Sequence, residues 1–168
     1  MNQDFDGTGL SFELMETTRT QNMTWFDEAN ANTEEDKAMR ARLRKGDATA
    51  LNVYTVGLSH HTSKWGYATF PWDFESNPEV DGVGLNYQVL PGGSHKNKAK
   101  GHALTHEVGH WVGLYHTFQG KNCSGDGDFV EDTPPEACAA TECKLRKSCP
   151  NGWGEDRKGI LLPRIRPL

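Results

Sequence analysis

The stretch HEVGHWVGLYH, residues 106–116, constrains the fold of this chain more than any other part of the sequence. His106 and His110 lie four positions apart, which is about one turn of an α-helix, and His116 follows shortly after Gly113. A random chain of this length and composition would contain such a pattern about once in ten thousand cases. The stretch therefore predicts a helix that carries two imidazoles on one side and is followed by a third.

The helix is predicted over residues 99–113, where apolar side chains recur at helical spacing. Glycine tolerates a positive φ, so Gly113 can end this helix and turn the chain until His116 faces the other two histidines. His102, one turn before His106, is the alternative third member. Three successive turns of a straight helix span roughly 12 Å, too far for one small ion, and we therefore prefer the bent arrangement.

Three converging imidazoles are typical of a catalytic zinc site, which has three protein ligands and an open position for water. We predict that His106, His110 and His116 bind one Zn²⁺ per chain. Glu107 then remains available as a general base, which takes a proton from water and passes it to a leaving amine. The chemistry predicted is hydrolysis of a peptide bond without a covalent intermediate. A zinc hydrolase with other substrates is the alternative, and the remaining histidines, His60, His61 and His95, show no ligand spacing.

Composition excludes several classes of protein. The net charge of −5 argues against a nucleic-acid-binding protein, which presents a basic face. No run of about 18 apolar residues exists, so no membrane span is predicted. The first ten residues, MNQDFDGTGL, lack the basic start and apolar core of a secretory signal. The length of 168 residues suits one domain.

Four cysteines lie close together, within residues 123–149. Their even number and loop-rich surroundings indicate disulfides and an oxidising compartment. A zinc knuckle is the competing interpretation, which the absence of any C-x-x-C pair disfavours.

Hydrophobic patterning predicts the remaining elements. Residues 34–45 are predicted to form a helix, and residues 50–57 and 81–89 are predicted to form strands. Residues 9–20 are predicted to form a strand that leads into a turn. Residues 57–81 are predicted to be irregular, with aromatic side chains that pack in the core and loops, and residues 120–149 are predicted to form a loop.

Beyond the histidines, the sequence resembles a known family. The pattern at 106–116 is similar to the metzincin zinc-binding consensus. Its continuation through HTFQG and GDFVEDTP resembles the pappalysins, and among them the secreted fungal metalloproteases. Upstream stretches, including GTGLSFEL, ALNVYTVG, TFPW and SNPEVDGV, extend the likeness over about residues 5–156.

The resemblance implies an α/β (α+β) metzincin-like fold. We expect a twisted mixed sheet, mostly parallel with one antiparallel edge strand, over an active-site helix, and a loop-rich lower part that contains disulfides. It implies a secreted zinc metalloendopeptidase with protein or peptide substrates, the three histidines as ligands and Glu107 as general base. It also implies a Cys123–Cys149 disulfide, with Cys138–Cys143 as the second pair. Relatives suggest Ca²⁺ at Asp128 to Thr133, where these side chains could equally cap turns.

Two departures from the family concern the ends of the chain. Metzincins have a methionine-containing turn beneath the zinc, whereas all four methionines here precede the histidine motif. In place of that turn, the final residues, 157–168, are basic and atypical. At the other end, the resemblance places a signal peptide, a propeptide and a first strand and helix before residue 1, and we expect the chain to be truncated at both ends. We therefore expect residues 1–156 to form a partial, incomplete catalytic domain, followed by this tail. The alternative function is a catalytically impaired zinc-binding fragment, because loss of the groups that support metal ligands typically costs roughly 10–100-fold in affinity or activity.

Overall fold

The computed structural model describes residues 1–58, 64–96, 99–121, 123–140, 145–152 and 154–156. Within it the chain divides into two compact units, the first formed by residues 1–113 and the second beginning at Leu114. The basic tail at 157–168, together with His60 and His61, lies outside the described residues.

The first unit contains the α-helices and strands of the described chain. In chain order they are α1 Met23–Glu28, α2 Glu34–Leu43, β1 Val53–Val56, β2 Gly66–Ala68, β3 Val83–Asn86 and α3 His102–Trp111. The predicted helices at 34–45 and 99–113 and strands at 50–57 and 81–89 are confirmed, whereas α1 and β2 were not predicted. Among the described residues, no helix has the length and apolar character needed to cross a membrane.

The three strands form one mixed sheet in the order β1-β3-β2. Strand β1 runs parallel to β3, with Val53 opposite Val83, and β2 runs antiparallel to β3, with Gly66 opposite Leu85. Val83 and Leu85 of the central strand are fully buried, and α3 packs against β2 and β3. The expected mixed sheet with one antiparallel edge strand, packed against the histidine-bearing helix, is therefore present.

Helix α2 begins where its sequence provides a cap. The Thr33 hydroxyl accepts a hydrogen bond from the backbone N–H of Asp36, at 3.2 Å, and three acidic residues occupy the first turn. Acidic side chains at this end stabilise the helix dipole. The helix buries Met39 against Tyr54 and Val56 of β1, which forms the centre of the apolar core.

The strand predicted at residues 9–20 is wrong. The structure assigns no strand to these residues, and Leu14 and Met15 are more than four-fifths exposed. A strand needs backbone partners along its length. Here the backbone N–H and C=O of Phe12 bond to the side chain of Asn2, a local contact that replaces a strand partner.

A buried ion pair joins α2 to the sheet. Arg40 is 1% exposed and donates through Nε to Asp36 Oδ1 at 2.8 Å and through Nη1 to the carbonyl of Val80 at 3.0 Å. The Tyr67 hydroxyl of β2 donates to the same Asp36 oxygen at 2.6 Å, and burial raises its pKa well above the usual value. Asp36 thus compensates a guanidinium that is shielded from water.

Asp36→Ala is expected to lower the free energy of unfolding by about 3–5 kcal/mol, because it leaves the buried Arg40 charge unpaired. Glu34→Ala is the matched control on the same helix. Its partner, Lys37, lies at 2.8 Å but both side chains are exposed, so the expected loss is at most about 1 kcal/mol. Urea denaturation of both variants measures the difference, and equal losses would contradict a buried pair.

The second unit consists mainly of loops, which a disulfide and ion pairs hold together. Among its described residues no α-helix or strand is assigned, and a disulfide joins Cys123 to Cys149, as the resemblance implied. Arg146 forms ion pairs with the buried carboxylates of Asp156, at 2.7 Å, and Glu136, at 3.4 Å. Cys143, one member of the expected second disulfide, lies outside the described residues, and Cys138 is an exposed free thiol.

Candidate metal centre

A glycine lies at each end of the helix that carries the histidines. Gly101, with a φ of 88°, precedes the first residue of α3, and Gly113, with a φ of 102°, follows its end. The N–H of Gly113 donates to the carbonyl of His110 at 2.9 Å, which closes the last turn. Since L-residues other than glycine rarely adopt such φ values, Gly113 ends the helix in the way its position in the sequence predicts.

The three motif histidines come together. Nε2 of His106 and Nε2 of His110 lie 3.2 Å apart, and their rings are nearly perpendicular. Each of His106, His110 and His116 offers one ring nitrogen, and these three atoms lie within 4.8 Å of one another. His102, the alternative third member, is exposed at the start of α3 and does not belong to this group.

This donor set fits zinc. Two nitrogens bound at 2.0–2.1 Å in tetrahedral geometry are separated by about 3.3 Å, close to the distance between His106 and His110. The group consists of imidazoles alone, which suit zinc and other late transition metals rather than magnesium or calcium. The ring of His116 stacks on Phe118, with centroids 4.8 Å apart, which restricts its orientation.

Glu107 lies between the two helical histidines in sequence and is 7% exposed. Burial raises the pKa of its carboxyl to about 7, against an opposing effect of the positive charge of Lys64. A cation held nearby would also lower this pKa, because it favours the charged form. Glu107 is therefore a desolvated carboxyl with a pKa in the range that suits a general base.

Gly66 of β2 is a site residue that sequence analysis missed. A Cβ at this position would lie 2.8 Å from Cγ of Glu107, 3.0 Å from its Oε1 and 2.8 Å from Cδ2 of Leu85. The absence of a side chain on this edge strand thus leaves room for the Glu107 carboxyl. A single glycine without a turn pattern carries no signal for such a role in the sequence.

Gly66→Ala is expected to displace the Glu107 carboxyl and lower peptide hydrolysis by about a hundredfold, the effect of roughly a 1 Å misplacement in an active site. Zinc content should stay unchanged, since no ligand is touched. Gly92→Ala is the control: it strains a backbone with φ of 81° but meets no atom within 4 Å. Hydrolysis assays with metal analysis of both variants test this prediction. A fully active Gly66→Ala protein would show that the added methyl group does not displace the Glu107 carboxyl.

An aromatic turn, defined here as residues 70–72, packs beside the second histidine. The ring of Phe70 lies 5.5 Å from that of His110 and stacks on Trp72 at 4.5 Å. A Cβ on Gly113 would meet Pro71 and Trp72 at ordinary contact distances, so the same turn borders the end of α3. The sequence indicated packing aromatics here without indicating which residue they contact.

Comparisons with known proteins show the family of the chain. The family model of peptidase M43, described as pregnancy-associated plasma protein-A, matches residues 33–155. The chain is similar to an extracellular metalloprotease of Colletotrichum graminicola, with 44% identity over 93% of this chain and 54% of the relative. It is also similar to extracellular metalloprotease 1 of Coccidioides posadasii, with 43% identity over 90% of this chain and 54% of the relative. The chain thus spans about half the length of these relatives.

The fold has a solved counterpart in Tannerella forsythia mature mirolysin, whose structure is a complex with a cleaved peptide. The two superpose with a TM-score of 0.54 at 30% sequence identity, over 71% of this chain and 47% of mirolysin. Mirolysin is a metzincin, so the expected fold class is confirmed. The family match covers most of the chain and includes all three clustered histidines, and the chain belongs to the peptidase M43 family, the pappalysins.

Proposed function

We propose that this chain provides the zinc site of a secreted metalloendopeptidase, in which His106, His110 and His116 bind one Zn²⁺ and Glu107 acts as general base. One observation carries the proposal: one ring nitrogen from each of His106, His110 and His116 lies within 4.8 Å of the other two, and the residue after His106 is a buried carboxyl, Glu107. Membership of a metalloprotease family supports zinc as the metal.

The chemistry divides between the metal and the protein. Zinc, when bound, supplies Lewis-acid catalysis, which polarises a carbonyl and acidifies water. The Glu107 carboxylate accepts the proton that water loses as it attacks the peptide carbonyl, and then delivers it to the departing amine. Burial keeps this carboxyl desolvated, and the missing side chain of Gly66 leaves the space that it occupies.

We base two further proposals on the relatives rather than on the fold: that the substrates are proteins or peptides, and that the protein is secreted. The fungal relatives are named extracellular metalloproteases, and the mirolysin structure contains a cleaved peptide. The Cys123–Cys149 disulfide supports an oxidising compartment. We infer that the natural setting of this domain is outside the cell.

Calcium at the loop of residues 128–133 stays a proposal carried by the resemblance. In the structure Asp128 is buried, and its Oδ1 accepts a hydrogen bond from the N–H of Val130 at 3.1 Å, which caps a turn. Turn capping thus accounts for one oxygen of this carboxylate.

Purified protein of residues 1–168, loaded with zinc, tests the proposed function. We expect one zinc per chain by metal analysis and cleavage of casein that a chelator abolishes and added zinc restores. The same analysis reports any bound calcium. Stoichiometric zinc without cleavage would favour the impaired fragment, and cleavage of small esters but not of casein would favour a hydrolase with other substrates. Failure to bind zinc would remove the proposal altogether.

A further inference from the structure

We infer that the buried carboxylate of Asp81 positions the metal site, by holding both the end of the histidine-bearing helix and the aromatic turn that packs on His110. This inference rests on the proposed function, since it concerns the geometry of the proposed zinc ligands. Asp81 is 2% exposed and immediately precedes Gly82 and strand β3. It is a site residue that neither the histidine pattern nor the charge pattern indicates.

The first connection fixes the helix. Trp111 is the last residue of α3 and directly follows His110. Its indole Nε1 donates to Asp81 Oδ1 at 2.9 Å. Hydrogen bonds to a charged acceptor are stronger than those between neutral groups. The end of α3 is therefore tied to the start of the central strand, at the residue next to a proposed ligand.

The second connection fixes the aromatic turn. The Thr69 hydroxyl donates to the same Asp81 Oδ1 at 2.9 Å and accepts from the N–H of Gly82 at 2.9 Å, which uses both roles of a hydroxyl. The N–H of Thr69 also donates to the carbonyl of Gly82 at 3.1 Å. Thr69 directly precedes Phe70, whose ring lies against His110. One carboxylate oxygen therefore restrains His110 from its backbone side and from its ring side.

A third contact pairs Asp81 with Arg44. Its Oδ2 faces Nη2 of Arg44 at 3.4 Å, and Arg44 is itself held by the carbonyls of Gly46 and Asp47. Removal of Asp81 would leave this guanidinium without its partner and would risk general unfolding. Trp111→Phe and Thr69→Val are better tests, because each removes one donor to Oδ1 and leaves the Asp81–Arg44 pair intact.

A zinc ligand must be held close to its binding geometry, within roughly 0.5 Å, by the groups that pack on it. Residues that orient metal ligands typically change metal affinity roughly 10–100-fold when they are replaced. Asp81 is not one of the proposed ligands. It acts through Trp111, Thr69 and the aromatic turn, and is a positioning residue.

Zinc affinity by chelator competition, measured on the chain of residues 1–168, tests this inference. Trp111→Phe and Thr69→Val are each expected to weaken zinc binding about tenfold and to alter the visible absorption spectrum of the cobalt-substituted protein. Matched controls are Trp25→Phe, which is partly buried against the apolar core, and Thr8→Val, whose hydroxyl donates to the carbonyl of Phe5. Both controls should retain the wild-type affinity and cobalt spectrum.

The unfolding midpoint of the metal-free variants separates positioning from stability. Lower midpoints in Trp111→Phe and Thr69→Val, with zinc affinity and cobalt spectrum unchanged, would overturn the inference while the proposed function stands. A wild-type chain that binds no zinc would overturn both. Weakened affinity with a changed cobalt spectrum supports a positioning role, since a purely structural contact leaves the spectrum of the folded, metal-loaded protein as it was.

Discussion

Replacing Glu107 by glutamine is expected to lower peptide hydrolysis by about 10²–10⁴-fold, the contribution typical of a positioned general base. Glutamine has nearly the same shape, so it should occupy the space beneath Gly66 without disturbing β2. It cannot accept the proton of attacking water. The loss should therefore appear in the rate of turnover, while the three histidines retain their metal.

The measurement is kcat/KM on a quenched fluorescent peptide, with zinc content determined on the same preparation. Activity in the wild-type protein should fall as pH falls through the pKa of Glu107, because the protonated carboxyl is no longer a base. Burial raises that pKa and bound zinc opposes the rise. If Glu107→Gln keeps more than a tenth of the wild-type activity, and its activity still falls at low pH, then another group acts as the general base.

Replacing His110 by alanine is expected to remove stoichiometric zinc binding and activity together. His110 is the most buried of the three histidines and shares the 3.2 Å contact with His106. Structural zinc sites with four ligands bind with roughly 10–16 kcal/mol, so one ligand contributes about 3 kcal/mol, or about a hundredfold or more in affinity. Two remaining imidazoles would hold the ion too weakly to survive dialysis.

His102→Ala is the matched control for that experiment. His102 lies one helical turn before His106 but is exposed and outside the cluster, so its loss should leave zinc content and activity unchanged. Metal analysis after dialysis, with far-UV circular dichroism to confirm the helix, compares the two variants. Equal zinc loss in both would return His102 to the ligand set and contradict the bent arrangement around Gly113.

Much of the fold was readable because its elements carry strong local signals. The stripe of Leu104, Val108 and Trp111 predicts α3, and the apolar residues spaced along the charged stretch 34–45 predict α2. Strand β2 has three residues and lies in a stretch rich in aromatics, so alternation could not reveal it. Residues 9–20 show the opposite error: apolar residues suggested a strand, but a strand depends on backbone partners that no local pattern specifies.

The candidate site likewise contains residues that a local pattern predicts and residues that it does not. Three histidines and a glycine at fixed spacing are a local pattern, and the structure brings these histidines together as that spacing predicts. Gly66 and Asp81 influence the site through contacts across 41 and 30 positions of sequence, with Glu107 and Trp111 respectively. Such contacts exist once the sheet has formed, and one glycine or one aspartate among many gives no sign of them beforehand.

The bridge between Cys123 and Cys149 has a practical consequence for making this protein. It closes a loop of 26 positions, which in the chain-entropy treatment restricts the unfolded ensemble by about 3.5 kcal/mol. The described part of the second unit has no α-helix or strand to compensate for its loss. Bacterial cytoplasm keeps thiols reduced, so protein produced there would lack this disulfide. We expect better yields of folded protein from an oxidising expression host, or from refolding in a buffer that contains a thiol–disulfide couple.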